Sequence, residues 1–289
     1  MKTSIVIPNW KGKNLLEKNL PAVLATQPDE LIVVDDASPD DSVSFLEKNY
    51  PQIKIVKHKK NLGFAQAVNS GVAAAKGEIV ALLNLDVVPE KEALRAILPN
   101  FEDKEVFAVS FNEPQFSWAR IFWKQGFVGH ESGQKTDKTH ISAWASGGSA
   151  AFRKSVWFDL GGFDPLFHPF YWEDIDLSYR AWKRGFQILW EPKAMVHHKH
   201  EAIIGKNFSK NYIDFVSRRN QLLFIWKNIT DWQMILEHKF FLAPKMINPR
   251  YWKVFLAAKM KMPKILAGRI KEYRQERVSD KEIFEKFKE

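Results

Sequence analysis

Over the first 84 residues, four short apolar runs alternate with helical patterns, a rhythm that few folds accept. Residues 4–8, 30–34 and 79–84 are rich in β-branched residues and bounded by polar or turn residues. Strands covered on both faces have this appearance. Residues 53–57 form a weaker run of the same kind. Between the runs, Leu15, Leu16, Leu20, Val23 and Leu24 fall at helical spacing. Val43, Phe45, Leu46 and Tyr50 follow a start signal at Ser38 and Asp40, and the small-residue stretch 65–75 stops at Lys76-Gly77. The order β-α-β-α-β-α-β predicts an α/β fold, a doubly wound and mostly parallel sheet flanked by helices, with right-handed crossovers.

Such sheets bind ligands outside the carboxyl ends of their strands. Three predicted strand ends carry Pro8-Asn9-Trp10, Asp35-Asp36-Ala37-Ser38-Pro39-Asp40 and Asn84-Leu85-Asp86. Each alone reads equally well as turn or cap chemistry; together they predict one crevice with several carboxylates. A carboxylate at Asp86 suits a divalent cation, Mg or Mn, that holds a diphosphate. The competing expectation is that Asp86 merely caps a helix begun by Pro89-Glu90.

Farther along, 106–111 reads as a strand and the stretch to Gly133 as a Gly-rich loop. Residues 173–184 read as a helix stopped by Gly185, and 188–190 as a strand. From Asn207 onward the pattern is helical, interrupted at Met262-Pro263. The most informative stretch is Phe170-Tyr171-Trp172-Glu173-Asp174-Ile175-Asp176-Leu177. Carboxylates in a first helical turn are stabilised by the helix dipole, and Asp176 can pair with Arg180 one turn later. Glu173 and Asp174, behind three aromatic residues, also suit a general base beside a sugar-binding wall formed by Tyr171 and Trp172. His197, His198 and His200 cluster after the 188–190 strand. Their spacing matches neither HExxH nor a zinc finger, so one of them is expected to complete the Asp86 site rather than build a zinc site.

Charge is unevenly spread. Residues 1–200 hold 24 basic and 24 acidic side chains, whereas 201–289 hold 19 and 10, so the whole net charge of +9 lies in the last third. Within 251–274, seven basic residues and one acidic residue flank Trp252, Phe255, Leu256, Ile265 and Ile270. That pattern suits an anionic membrane surface; packing on the rest of the chain, or an oligomer contact, suits it as well. The chain has no cysteine, which excludes disulfides and thiolate metal sites. No apolar run approaches the roughly 20 residues of a spanning helix. The expectation is a cytoplasmic protein, peripheral at the cytoplasmic face of the membrane if the basic region docks there.

These motifs, in this order and spacing, resemble family 2 glycosyltransferases of the GT-A fold, and among them the rhamnosyltransferase-like branch. The resemblance spans roughly residues 3–228. It rests on 4–10, on 33–40, on Asn61-Leu62-Gly63-Phe64-Ala65 through Asn69-Ser70-Gly71, and on Leu83-Asn84-Leu85-Asp86. It continues with Gly161-Gly162-Phe163-Asp164, 172–180 and Arg219-Asn220. It implies a catalytic domain over 1–228 with a helical basic extension over 229–289. It further implies an inverting enzyme that moves a sugar from a nucleotide-diphosphate-sugar donor to a glycan or lipid-linked acceptor hydroxyl, in cell-surface polysaccharide or glycolipid synthesis. Pro8, Asn9, Trp10, Asp35 and Asp36 would line the donor's base and ribose, and Asn61, Gly63 and Asn69 would close over the nucleotide. Asn84 and Asp86 would stand at the metal-diphosphate position with His198, and Asp174, with Glu173 beside it, at the catalytic-base position. Two features depart from the branch: Asn84 replaces the first carboxylate of the metal motif, and Lys11 stands where the branch often has Asn. A nucleotidyltransferase would want a Gly-rich, basic phosphate loop after the first strand, which 9–12 lacks. A basic nucleic-acid-binding protein would spread its charge over one reading surface, whereas the strand ends here are acidic.

Overall fold

The computed structural model describes residues 1–198, 205 and 208–288. Strand β1 (Thr3–Asn9) pairs in parallel with β2 (Glu30–Asp35) and with β4 (Ile79–Leu83), and β2 pairs in parallel with β3 (Lys54–Lys57). The crossovers are α1 (Lys13–Ala25), α2 (Ser42–Asn49) and α3 (Phe64–Ala74). Successive strand residues face opposite sides. Ile5, Ile7 and Val33 therefore pack with Leu16, Leu20 and Val23 of α1, while Val6, Ile32 and Val34 pack with Val68 and Val72 of α3. This half of the molecule is as the periodicity predicts.

Past β4 the sheet becomes mixed. Strand β10 (Ser149–Arg153) runs antiparallel to both β4 and β6 (Val106–Asn112), and β11 (Gln187–His198) runs parallel to β6. A short β5 (Val87–Pro89) closes the edge against β11, giving the order β3-β2-β1-β4-β10-β6-β11-β5, and β9 (His140–Ile141) pairs antiparallel with β11 off this path. It follows from these directions that β1, β2, β4, β6 and β11 all end on the same side, and that β10 begins there.

Three expectations need correction. Residues 87–89 form a strand, and the next helix, α4, spans Ala93–Ile97; Asp86 therefore does not cap a helix begun by Pro89-Glu90. The stretch read as a Gly-rich loop holds a two-stranded hairpin, β7 (Ala119–Lys124) and β8 (Phe127–Ser132). Its turn residues Gln125 and Gly126 have φ of 50° and 72°, the left-handed pair that a two-residue hairpin loop requires. The strand expected over 188–190 runs on to His198. Pro192 interrupts its pattern but sits at a register shift between Trp190 and Met195, where no ladder bond is lost.

Helix α5 (Lys154–Leu160) and helix α6 (Glu173–Lys183) lead to α7 (Lys210–Asn228). Four further helices follow: α8 (Trp232–Lys245), α9 (Pro249–Lys259), α10 (Met262–Tyr273) and α11 (Asp280–Glu285). Pro263 lies in the first turn of α10, so it separates two helices rather than kinking one. The helices beyond 228 share one core with the rest: Tyr251, Val254, Ala258, Ile265, Ile283, Phe284 and Phe287 join the cluster containing Trp182 and Phe224. Among the described residues, no helix is long and apolar enough to cross a membrane.

A buried charge cluster ties α5, α6 and α7 together. Asp176 is fully buried and accepts from Arg180 Nε at 2.8 Å, Lys227 Nζ at 2.9 Å and Asn228 Nδ2 at 2.8 Å. Arg180 also donates to the carbonyls of Leu160 and Gly162, and Lys227 to Asp164 at 2.6 Å. Burial alone would raise the Asp176 pKa, but Arg180 and Lys227 outweigh it and hold the carboxyl below its ordinary value of 3.8. Removing one member of such a cluster strands the others without partners. Asp176→Ala is expected to cost about 3–5 kcal/mol in urea unfolding followed by tryptophan fluorescence. Because the folded pKa is depressed, the wild-type contribution should be complete above the ordinary value and fade as pH falls through the folded one. A variant as stable as wild type at neutral pH would remove the cluster from this role.

Candidate active site

The common strand edge gathers the predicted side chains. At the end of β1, Asn9 Nδ2 donates to Asp35 Oδ1 at 2.9 Å and to Ser38 Oγ at 3.1 Å, and Asp35 accepts the Ser38 N–H. Pro8, Asn9 and Trp10 thus form one wall with Asp35. Lys11 lies over the Trp10 ring, 4.6 Å from its centroid. Asp36 is used differently. Its carboxylate accepts the backbone N–H groups of Leu62 and Gly63, both at 2.8 Å, and meets His58 Nδ1 at 2.7 Å. It therefore holds the 61–63 loop over the crevice. Gly63 has φ of 86°, and a Cβ there would lie 2.7 Å from His168 Nδ1, so only glycine fits. Asn69 bonds both the N–H and the carbonyl of Phe163, joining α3 to the 161–164 turn. Asn61, one residue before the bonded loop, is exposed.

Asn84 donates its backbone N–H to the Gly148 carbonyl at 2.8 Å, and its carboxamide lies against Gly148 so closely that no Cβ would fit there. Two residues on, Asp86 Oδ1 lies 3.1 Å from His198 Nε2. His198 Nδ1 lies 3.1 Å from Glu113 Oε2, and Glu113 in turn accepts from Ser149 Oγ at 2.6 Å. Burial opposes charge on His198, but the hydrogen bonds to Asp86 and Glu113 outweigh it and its pKa is pushed up to about 9. Of the three histidines, His198 meets Asp86, His197 is exposed on Glu90 at 3.2 Å, and His200 lies outside the described residues.

A carboxylate facing an imidazole is a donor set that a divalent cation can use. Among the described residues, no group of three histidine or carboxylate side chains forms a self-sufficient metal cage. Two protein ligands still fit an ion that takes its remaining oxygens from a diphosphate and water, the usual habit of Mg²⁺. Asp86 and His198 would hold such an ion, and it would displace the proton that their contact otherwise favours.

The aromatic-acidic stretch enters from the opposite side. Tyr171 and Trp172 have φ of 69° and 78°, unusual for residues with side chains. Asn220 explains how this is held: its Nδ2 donates to the carbonyls of Phe167, Phe170 and Tyr171 at 2.7, 3.0 and 2.9 Å, while Arg219 donates to that of His168. Helix α6 then starts with Asp174 aimed at the crevice. Asp174 accepts the Gly147 N–H at 3.2 Å and that of Ile175 at 2.8 Å. Burial raises its pKa, and those N–H bonds oppose the rise. The Glu173 carboxyl is buried; burial, then the charge of Asp174, push its pKa well above the ordinary value, and a bond from its own N–H opposes them only in part. Of the pair, Asp174 is the better base and Glu173 the better acid. Tyr171 is exposed, whereas the Trp172 ring turns inward onto Phe224 at 5.3 Å.

Sequence reasoning missed two residues here. Glu113, at the end of β6, looks like one more surface glutamate until β6 and β11 are seen to be neighbours. His130 on β8 stands with its ring 5.3 Å from Trp144 and 6.1 Å from Trp172, near enough to feel the Asp174 charge. Burial lowers its pKa against that charge. The Gln125-Gly126 turn was the available signal for the hairpin that carries it.

Comparison with known proteins now decides the family. Residues 4–159, more than half of the chain, match the sequence model for Glycosyl transferase family 2. The chain belongs to glycosyl transferase family 2. Among relatives in this family, it is 31% identical over 181 residues to the pre-mycofactocin glycosyltransferase of Mycobacterium tuberculosis, covering 60% of this chain and 38% of that protein. It is 29% identical over 196 residues to the O-antigen chain rhamnosyltransferase WbaN of Salmonella anatum, covering 64% and 61%. The chain therefore spans only part of the length of these relatives. Its fold is similar to that of GalNAc-T7 with UDP, GalNAc and Mn²⁺, with a TM-score of 0.64 at 17% identity, covering 78% of this chain and 48% of that one. The mannosyltransferase PcManGT from Pyrobaculum calidifontis, with GDP-Man and Mn²⁺, gives a TM-score of 0.56 at 18% identity over 94% and 74%. The GT-A fold expected from the family 2 motifs is the fold found.

If Asp86 holds the cation, Asp86→Ala should abolish the Mn²⁺-dependent part of nucleoside diphosphate binding in calorimetry while leaving the thermal unfolding profile cooperative. Equal binding with and without chelator in the wild-type protein would remove the metal from the site.

Proposed function

We propose that this chain is an inverting glycosyltransferase that moves a sugar from a nucleotide-diphosphate-sugar donor to an acceptor hydroxyl. One observation carries the reading. The metal-type pair Asp86–His198 and the base-type residue Asp174 are linked through two consecutive residues, with Asn84 N–H bonded to Gly148 and Gly147 N–H bonded to Asp174. A donor diphosphate and an acceptor hydroxyl would thus meet across one short segment.

In this reading the donor's base and ribose lie along Pro8, Asn9, Trp10 and Asp35. The loop held by Asp36, with Asn61 and Gly63, covers the nucleotide, and Asn69 fixes the turn behind it. Asp86 and His198, with Asn84 alongside, hold a divalent cation, Mg or Mn. When bound, that ion stabilises the negative charge developing on the leaving diphosphate. Asp174 takes the proton of the acceptor hydroxyl as its oxygen bonds to the anomeric carbon and the bond to the diphosphate breaks. Direct attack of that oxygen from the side opposite the leaving group inverts the centre. Glu173, whose buried site favours its protonated form, keeps a second negative charge away from Asp174. Tyr171 and His130 offer the acceptor an exposed ring and a neutral imidazole, with Trp172 as backing. Kinship with an O-antigen rhamnosyltransferase supports a glycan or lipid-linked acceptor in surface polysaccharide synthesis.

We assign 1–228 to catalysis and 229–289 to a helical basic extension with an outward role. Ten of the fifteen exposed large apolar residues among those described lie between Trp232 and Tyr273. Trp232, Leu236 and Phe240 are spaced four apart along α8, as are Trp252, Leu256 and Met260 near α9. With the basic side chains of 251–274 between them, these rows suit the cytoplasmic face of an anionic membrane. Wild-type protein should sediment with vesicles containing anionic lipid at low salt, and Trp252→Glu/Leu256→Glu should stay in the supernatant. Sedimentation of both proteins alike would end the membrane reading.

The catalytic assignment is tested by Asp174→Asn, which keeps shape and removes the proton acceptor. Turnover should fall by about 10²-fold or more while nucleoside diphosphate affinity is retained. Because burial raises the Asp174 pKa, the acid limb of the wild-type rate profile should lie at higher pH than an ordinary aspartate gives. Wild-type turnover in the variant would exclude Asp174 as the base.

A further inference from the structure

On the flank of the hairpin, away from the donor crevice, lies an open groove of about 540 Å³. Its walls are Phe122, Phe127, Phe241 and Tyr251, and Lys124, Arg218 and Lys245 line it as well. Three elements build it: the β7–β8 hairpin, α7 and the end of α8. The hairpin tip is fixed against α8, where Glu237 takes the Gly126 N–H at 3.1 Å and Trp123 Nε1 at 2.7 Å. The Glu237 carboxylate is thereby turned to the backbone and the indole.

The cations are arranged for an anion. Lys245 Nζ lies 4.8 Å from the Phe127 centroid and 5.9 Å from that of Tyr251, so the groove's own rings hold it. Among the described residues, no carboxylate pairs with Lys245 or Lys124. Arg218 pairs with Asp214 at 2.9 Å, but both side chains are more than half exposed, and such a pair holds its partners weakly. Three cations over four aromatic rings match neither a neutral glycan nor a plain apolar chain. They match an aliphatic chain that ends in phosphate, with rings for the chain and ammonium and guanidinium groups for the head.

The groove's position gives it a use. Gly129 lines it, and His130, the next residue along β8, projects from the opposite face of the hairpin, where it feels the Asp174 charge. At the other end, Phe241 follows the exposed Phe240, and Tyr251 precedes the exposed Trp252. We propose that this groove seats the phosphate and first chain carbons of a phosphate-bearing lipid, so that a sugar carried on that phosphate passes round the edge of β8 to the face where His130 meets Asp174. The groove would then be the acceptor's lipid-phosphate site, an assignment that rests on the transferase reading only for the word acceptor; the binding itself does not need it.

Decyl phosphate, kept below its micelle-forming concentration, is a suitable probe, with decanol and inorganic phosphate as its two halves. In calorimetry and thermal shift, decyl phosphate should bind at least tenfold more tightly than either half. Lys124→Glu/Lys245→Glu changes two exposed side chains and should weaken that binding at least tenfold. Nucleoside diphosphate binding with Mn²⁺ should be unchanged in the same variant. The proposal is overturned if decyl phosphate binds no better than decanol, no better than inorganic phosphate, or equally well to the double variant. Loss of nucleoside diphosphate binding in wild-type protein with decyl phosphate binding intact would instead overturn the donor reading and leave the groove standing.

Discussion

A carboxylate with no exposure to water holds helices α5, α6 and α7 in register. Asp176 draws Arg180 from its own helix and Lys227 and Asn228 from the end of α7, and those cations reach on to Leu160, Gly162 and Asp164. Three buried charges cost a great deal to desolvate, and only their close mutual pairing offsets that cost. The reward is positional. Asp174 lies half a turn before Asp176, so whatever fixes one fixes the direction of the other. A base must meet its proton within hydrogen-bond reach, and a helix start that wandered would lose that geometry.

The same logic explains why so many polar residues of the family motifs bind backbone. Asp36 spends its carboxylate on the Leu62 and Gly63 N–H groups, Asn69 on Phe163, and Asn220 on three carbonyls of the 167–171 loop. Loops at strand ends have no ladder partners, and their N–H and carbonyl groups must still be satisfied. Side chains from neighbouring elements do this here, so the loops keep one shape. Asp35 and Asp174 accept backbone N–H groups too, from Ser38 and from Gly147 and Ile175, while Asp86 faces His198.

The parallel half of the fold was legible in the sequence because β1, β2 and β4 are short uninterrupted apolar runs, buried on both faces. Asp35, Asp86 and Asp174 were legible for a related reason: strand ends and helix starts are marked by sequence, and ligand crevices sit at those ends. What stayed hidden depends on pairing between distant segments. β11 is interrupted by Pro192, and its full length shows only against β6 and β5 together. Glu113 gains meaning only from His198, 85 residues away, and Ser149, 36 residues away. Trp172 reads as a sugar-facing aromatic in sequence, yet the left-handed backbone at 171–172 turns its ring onto Phe224 and leaves Tyr171 outside. The basic last third was read as an outward surface; one face of it is that, and the other belongs to the main core.

Among the described residues, the hairpin that carries His130 is a two-stranded sheet paired with no other strand. Its tip is clasped by α8, where His238 Nδ1 meets the Gly126 carbonyl at 2.7 Å, and Arg120 near its base donates to the carbonyl of Phe287. An isolated hairpin is marginal in water, so this one borrows its order from helices that come more than a hundred residues later. The parallel half of the sheet is therefore modular in a way this hairpin is not. A fragment ending at 228 would keep β1 to β4 with their own helices, while the hairpin would keep the Gln221 bond to Val128 and lose those to Glu237, His238 and Phe287. Exchange of tails between relatives would, for the same reason, reshape the surface around the hairpin without touching a residue of β1, β2 or β4.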